Sequence, residues 1–259
     1  MVSKTKLVFA AAIIALGAAC SSQVKTPQNI PSPVIHFVPV EKNVQLEVID
    51  WGGAGQSIVL LAGGGNTAHV FDDFAPKLAR YFHVYGITRR GFGASQFSPV
   101  DDKSRLAKDI LVVLDSMNIH NPVLAGHSIA GVELSEIARV SQNGVSGLVY
   151  LEAGYPYAFS NSQSPGMNEF FELKGPPQPL PEQKDLTSFR ALQNWNTKTY
   201  GFQLPESEYR QTWDSTAESK TLRRRDSPGF AIFPTMLNNS GKNDNIPLSS
   251  LVIFAIPHS

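Results

Sequence analysis

The order of apolar segments limits the fold of this chain more than any other feature. Nearly continuous apolar runs of strand length, typical of strands buried on both faces, occur at residues 57–62, 83–88, 122–125, 147–151 and 251–255. Residues 45–50 instead alternate polar with apolar side chains, as a strand with one solvated face does.

Segments with apolar residues at helical spacing lie between these runs. They cover residues 74–81, 104–117 and 129–140. Strands that alternate with helices predict a parallel sheet with helices on both faces. The predicted fold class is therefore α/β, with a mostly parallel, doubly wound sheet.

A chain of 259 residues is long enough for one large domain. We expect its core to comprise residues 36–158 and to resume at 246–259, where the last apolar run lies. Residues 159–245 are rich in proline, glycine and scattered aromatic residues, with short helical candidates at 186–195 and 206–216. This stretch is predicted to be an insertion that forms a lid over the sheet.

The N-terminus has the pattern of an export signal. Two lysines precede an apolar run at residues 7–16, and small residues then lead to Cys20, the only cysteine of the chain. The pattern resembles a bacterial lipoprotein signal, which implies removal of residues 1–19, a lipid on Cys20 and a flexible tether at 20–35. The protein would then be exported, either periplasmic or anchored to the outer membrane by that lipid alone. Ordinary secretion and a chance cysteine are the alternatives.

The charge balance predicts no nucleic-acid partner, because 22 basic residues offset 22 acidic ones. The one basic cluster is Arg223-Arg224-Arg225. Such a cluster is typical of a solvated turn or helix face, and phosphate binding is its alternative interpretation.

Residues 126–131 read Gly-His-Ser-Ile-Ala-Gly, between a buried strand and a predicted helix. This context is typical of a nucleophile elbow, a sharp turn that exposes a serine hydroxyl at the carboxyl end of the sheet. The turn requires small residues two before and two after Ser128, which Gly126 and Ala130 supply. The alternative is an ordinary turn in which Ser128 caps the helix.

A run of glycines follows the strand at residues 57–62. Gly63, Gly64 and Gly65 allow the main chain to approach a substrate, so the N–H groups of Gly64 and Ile129 are candidates for an oxyanion hole. A phosphate-binding loop is disfavoured because no Gly-Lys-Ser or Gly-Lys-Thr follows. A plain glycine turn is the other alternative.

With these motifs the chain resembles the α/β-hydrolase family over residues 36–159 and again from 246. Residues 89–95 are similar to the family's Asp-x-Arg-Gly-x-Gly-x-Ser loop, with Thr88 at the aspartate position. Ala62 stands where the family's oxyanion segment has histidine. The resemblance implies a serine hydrolase that acts on a small-molecule ester or amide with Ser128 as nucleophile, and it implies no metal or organic cofactor. A serine nucleophile disfavours dehalogenase and epoxide-hydrolase chemistry.

The resemblance leaves two catalytic roles to be filled. Glu152, at the end of the sixth strand, is a candidate acid, with a structural carboxylate as its alternative role. The only histidine after Ser128 is His258, which directly follows the seventh strand. The family's base follows the eighth strand, so we expect the last strand, the last helix and the catalytic histidine to be missing and activity to be impaired. A non-catalytic binding protein on the same scaffold and a structural lipoprotein are the alternatives.

Overall fold

A computed structural model describes residues 32–141, 144–153, 179–216, 220–238 and 250–253. The strands are β1 (Val34–Glu41), β2 (Val44–Gly52), β3 (Ser57–Leu61), β4 (His83–Ile87), β5 (Val123–His127), β6 (Gly147–Leu151), β7 (Trp213–Ser215), β8 (Leu222–Arg224) and β9 (Ser250–Ile253). The helices are α1 (Ala75–Leu78), α2 (Ser104–Ser116), α3 (Ala130–Val140), α4 (Phe189–Tyr200), α5 (Glu206–Thr212) and α6 (Phe233–Asn238). Short 3₁₀ turns cover Ala68–Phe71, Gln183–Leu186 and Pro228–Ile232.

Among the described residues, seven strands form the central sheet in the order β1-β2-β4-β3-β5-β6-β9. The pairs from β4 to β9 are parallel, whereas β1 with β2 and β2 with β4 are antiparallel. This confirms the predicted mostly parallel α/β sheet. β9 ends the described part of the sheet, and Leu251 is 56 % exposed, which differs from the expectation of burial on both faces.

Both faces of the sheet are covered, as the apolar runs predicted. In β3, Val59 and Leu61 pack in the cluster that contains the apolar sides of α2 and α3. Ile58 and Leu60 point to the opposite face and pack with Ala75 of α1. Because side chains alternate along a strand, a run apolar at every position needs a cover on each face.

The element boundaries differ from the predicted ones in several places. β1 begins at Val34, two residues before the expected start of the core. The helix expected at 186–195 is α4, which begins after Ser188 and ends at Gly201. The helix expected at 206–216 ends at Thr212, because Trp213 adopts an extended conformation and pairs with Arg224 in a separate two-stranded sheet.

Several sequence predictions lie outside the described residues. They concern the export signal, Cys20, most of the tether and His258. Residues 179–216 and 220–238, called the cap segment here, are the described part of the predicted lid. No helix in the described ranges has the length and apolar character needed to cross a membrane.

Candidate functional site

Four loops meet at the carboxyl edge of the sheet. They follow β3, β4, β5 and β6, whose last residues lie side by side: Leu61 pairs with Ile87 and Gly126, and His127 pairs with Leu151. This edge is where ligands bind in open α/β sheets. The glycine run, the Arg89 loop, Ser128 and Glu152 are therefore brought together.

Ser128 lies in a sharp turn between β5 and α3. Its φ is 53°, a left-handed conformation that non-glycine residues seldom adopt, and its side chain is exposed. The turn is fixed by the N–H of Ser128, which donates to the carbonyl of Leu151 at 3.0 Å. A Cβ placed on Gly126 would lie 3.0 Å from the Cβ of Ala130, which explains the small residues on each side. This is the geometry that the sequence predicts for a nucleophile elbow.

The glycine run lies directly against the elbow. A Cβ added to Gly63 would lie 3.4 Å from the Cβ of Ser128, and one added to Gly64 would lie 3.8 Å from Cγ2 of Ile129. Gly64 is exposed, whereas Gly63 and Gly65 are buried. The two predicted oxyanion donors, Gly64 and Ile129, are thus neighbours beside the exposed Ser128.

Arg89 joins the glycine run to the helix that follows the elbow. Its guanidinium donates to both carboxylate oxygens of Glu133 at 2.7 Å and to the carbonyl of Ala62 at 3.0 Å. Both charged side chains are buried, and a bidentate pair fixes orientation as well as distance. Arg89 therefore positions the residue before Gly63 relative to α3.

Glu208 of α5 holds the other end of the glycine run. Its carboxylate accepts hydrogen bonds from the side-chain amide of Asn66 at 2.9 Å and from the backbone N–H of Thr67 at 3.1 Å. The hydroxyl of Thr67 is a further donor. Burial raises the pKa of Glu208, against the opposite effect of these donors. This link between cap segment and core was not predicted from the sequence.

His69 lies in a buried cluster beneath Glu208. Its Nδ1 is 2.8 Å from Asp72, and its Nε2 is 3.4 Å from Glu47. Burial alone lowers the pKa of His69, but the hydrogen bonds and charges of Asp72 and Glu47 outweigh burial and raise it to about 10. Glu47 is only 2 % exposed. The alternation of polar and apolar residues along β2 had predicted a solvated side chain at this position.

Thr88 belongs to the same cluster. Its hydroxyl donates to Glu47 at 2.7 Å and accepts from the N–H of Ala68 at 3.0 Å. The Thr88 hydroxyl therefore both donates and accepts a hydrogen bond inside the core. The family motif commonly has aspartate at this position.

The His69 cluster predicts a pH-dependent stability. A pKa raised from 6.5 to about 10 contributes stability that is complete below pH 6.5 and is lost as the pH rises through about 10. We expect His69→Gln to cost on the order of a few kcal/mol near neutral pH and less at high pH. Urea unfolding across this range measures the difference, with His120→Gln at an exposed position as the control. A cost that does not vary with pH would contradict the charged state of His69.

The cap segment supplies an apolar wall beside the glycine run. Phe230 and Phe233 meet edge to face at 5.3 Å, and both rings contact Phe92 of the core. A Cβ on Gly64 would lie 3.1 Å from the ring of Phe233. Gly229 donates its N–H to the carbonyl of Gly91 at 3.0 Å and so ties this wall to the core.

Glu152 follows β6 in a left-handed conformation, with φ 48°. One carboxylate oxygen lies 3.8 Å from Nε2 of His127, and both side chains are about half exposed. The structure thus places the candidate acid, Glu152, at the same edge of the sheet as Ser128. It lies next to His127, the residue that precedes Ser128. Within the described ranges, no group of three His, Cys, Asp or Glu side chains has a geometry that could hold a metal ion.

Comparison with known proteins identifies the family. The chain matches the model of the alpha/beta hydrolase family over residues 58–244, and it belongs to that family. The AB hydrolase superfamily protein YisY of Bacillus subtilis (strain 168) is 29% identical over 154 residues, which cover 54% of this chain and 57% of that protein. The match thus spans little more than half of that relative.

A solved structure confirms the fold. The crystal structure of E-2-(acetamidomethylene)succinate hydrolase is similar with a TM-score of 0.62 and 15% identity, covering 85% of this chain and 80% of that chain. At this identity the likeness concerns architecture alone. Family and fold together define an α/β-hydrolase.

Proposed function

We propose that this protein is a serine hydrolase that cleaves an ester or amide bond of a small molecule through an acyl-enzyme on Ser128. The observation that carries the proposal is the left-handed turn that exposes Ser128 beside Gly64 and Ile129. The serine oxygen attacks the carbonyl carbon, the leaving group departs with a proton, and water then releases the acid. The N–H groups of Gly64 and Ile129 would stabilise the oxyanion.

Glu152 is the proposed acid because it follows β6 at the edge where Ser128 lies. The fold supplies its base after the acid in the chain, whereas every described histidine precedes Ser128 and His258 lies outside the described residues. A non-catalytic binding protein on the same scaffold is the second candidate function.

Export and lipid attachment at Cys20 are also proposals. They are supported by the charged start, the apolar run and the small residues that precede the cysteine.

Hydrolysis of p-nitrophenyl butyrate tests the proposed activity. We expect a burst of p-nitrophenol of up to about one equivalent per protein, because the acyl group is transferred to Ser128 before water releases it. Ser128→Ala should remove this burst. Ser135→Ala is the matched control on α3, because the Ser135 hydroxyl already bonds the carbonyl of Gly131 and Tyr150. A burst that survives Ser128→Ala would contradict the proposal.

A further inference from the structure

Arg224 lies beside the candidate site at the end of β8. Its Nη2 atom is 3.2 Å from the point where a Cβ on Gly65 would lie. Its guanidinium carbon is 5.6 Å from the centre of the Phe230 ring, a cation–π distance. Because side chains alternate along a strand, Arg224 shares its face of β8 with the buried Leu222, whereas Arg223 points to the other face.

The charge of Arg224 is not neutralised by a neighbour in the described part of the chain. The next residue, Arg225, pairs with Asp214. No carboxylate of the described residues forms an ion pair with Arg224, although the side chain is held against Phe230 and the glycine run. An arginine placed this way presents a free fork of N–H donors, which matches a carboxylate.

The glycine run connects Arg224 to the reacting serine. Gly63 approaches Ser128, and Gly64 approaches Ile129 and Phe233. Gly65 approaches Arg224 and Phe230. Since consecutive Cα atoms are about 3.8 Å apart, the first and third glycines lie within about 8 Å of each other. Ser128 and Arg224 therefore lie at the two ends of the same three-residue run, and a substrate lying along the run would pass from one to the other.

We propose that Arg224 binds a carboxylate of the substrate, so that the substrate class is an ester or amide that also carries a negative charge. The ring faces of Phe230 and Phe233 would cover the short hydrocarbon part between the two groups. This inference rests on the proposed function for the position of the scissile bond, but the binding of the carboxylate requires no reaction at Ser128.

Binding of three amides tests the proposal by isothermal titration calorimetry. N-butylglutaramate carries a carboxylate on the acyl side, N-pentanoyl-β-alanine carries one on the amine side, and N-butylpentanamide is neutral. We expect one of the two anions to bind at least about tenfold more tightly than the neutral amide, equivalent to about 1.4 kcal/mol. The anion that binds more tightly identifies the side of the substrate that Arg224 recognises.

Two matched variants complete the experiment. Arg224→Gln should abolish the preference for the anion, whereas Arg223→Gln, on the opposite face of the same strand, should leave it intact. Equal affinities for all three amides, no binding of any of them, or a preference that survives Arg224→Gln would overturn the proposal. An intact preference in a protein whose Ser128 proves unreactive would refute the proposed function and leave the anion site standing.

Discussion

Replacing Arg89 by methionine is expected to destabilise the protein by about 3–5 kcal/mol. The substitution leaves the carboxylate of Glu133 buried without its bidentate partner and removes the donor to the carbonyl of Ala62. An uncompensated buried charge is costly because little water reaches it. Urea unfolding measures the loss, which is a large part of the stability of an ordinary domain.

A second substitution separates the charge from the rest of the network. In Arg89→Met with Glu133→Leu, apolar groups replace the whole ion pair, so most of the lost stability should return. The tie to Ala62 stays broken, so reactivity at Ser128 should not return. Lys184→Met is the surface control, since Lys184 and Glu182 pair in solvent and such pairs contribute little. A single Arg89→Met variant as stable as the wild type would contradict this account.

Glu208→Gln is expected to weaken both stability and reactivity. A glutamine in this place presents an N–H₂ group to donors that now bond a carboxylate, namely Asn66 and Thr67. We expect a loss of about 1.5–3 kcal/mol in unfolding free energy, the usual value of hydrogen bonds to a charged group. The glycine run should also lose its fixed geometry, and reaction of Ser128 should slow by about tenfold or more, short of the roughly 10² to 10³ lost when an oxyanion-hole donor is removed outright.

The control lies on the same helix. Glu206→Gln makes the same chemical change at an exposed position, where Glu206 pairs only with Arg210 in the described structure. It should alter stability by less than about 1 kcal/mol and leave reactivity unchanged. If Glu208→Gln slows the reaction no more than Glu206→Gln does, then Glu208 stabilises the fold without positioning the glycine run.

The sheet and the sharp turn at Ser128 could be predicted because their determinants are local. A run such as residues 58–61 has apolar side chains at every position, and this alone requires cover on both faces. The small residues around Ser128 likewise follow from the sharpness of one turn. Even the true bounds of α4 were encoded locally, since Ser188 caps its start and Gly201 ends it with φ 79°.

The links between the site and its surroundings could not be predicted in this way. Glu208 and Thr67 are 141 positions apart in the chain, and Arg89 and Glu133 are 44 apart. No periodicity or motif in the sequence relates such residues, because their contact arises only when the cap segment and α3 pack on the sheet. Glu47 shows the same limit. The alternation of polar and apolar residues along β2 predicted that its side chain faces solvent, whereas in the folded chain it contacts His69 and Thr88.

Mass spectrometry of the protein after reaction with a fluorophosphonate tests the nucleophile most directly. Such a probe phosphonylates an activated serine, and peptide mapping locates the adduct. The account predicts a single adduct on Ser128, absent in Ser128→Ala, retained in Ser135→Ala and formed more slowly in Glu208→Gln. An unmodified Ser128 in a protein that is folded by circular dichroism would contradict the hydrolase mechanism and favour a binding protein built on the same scaffold.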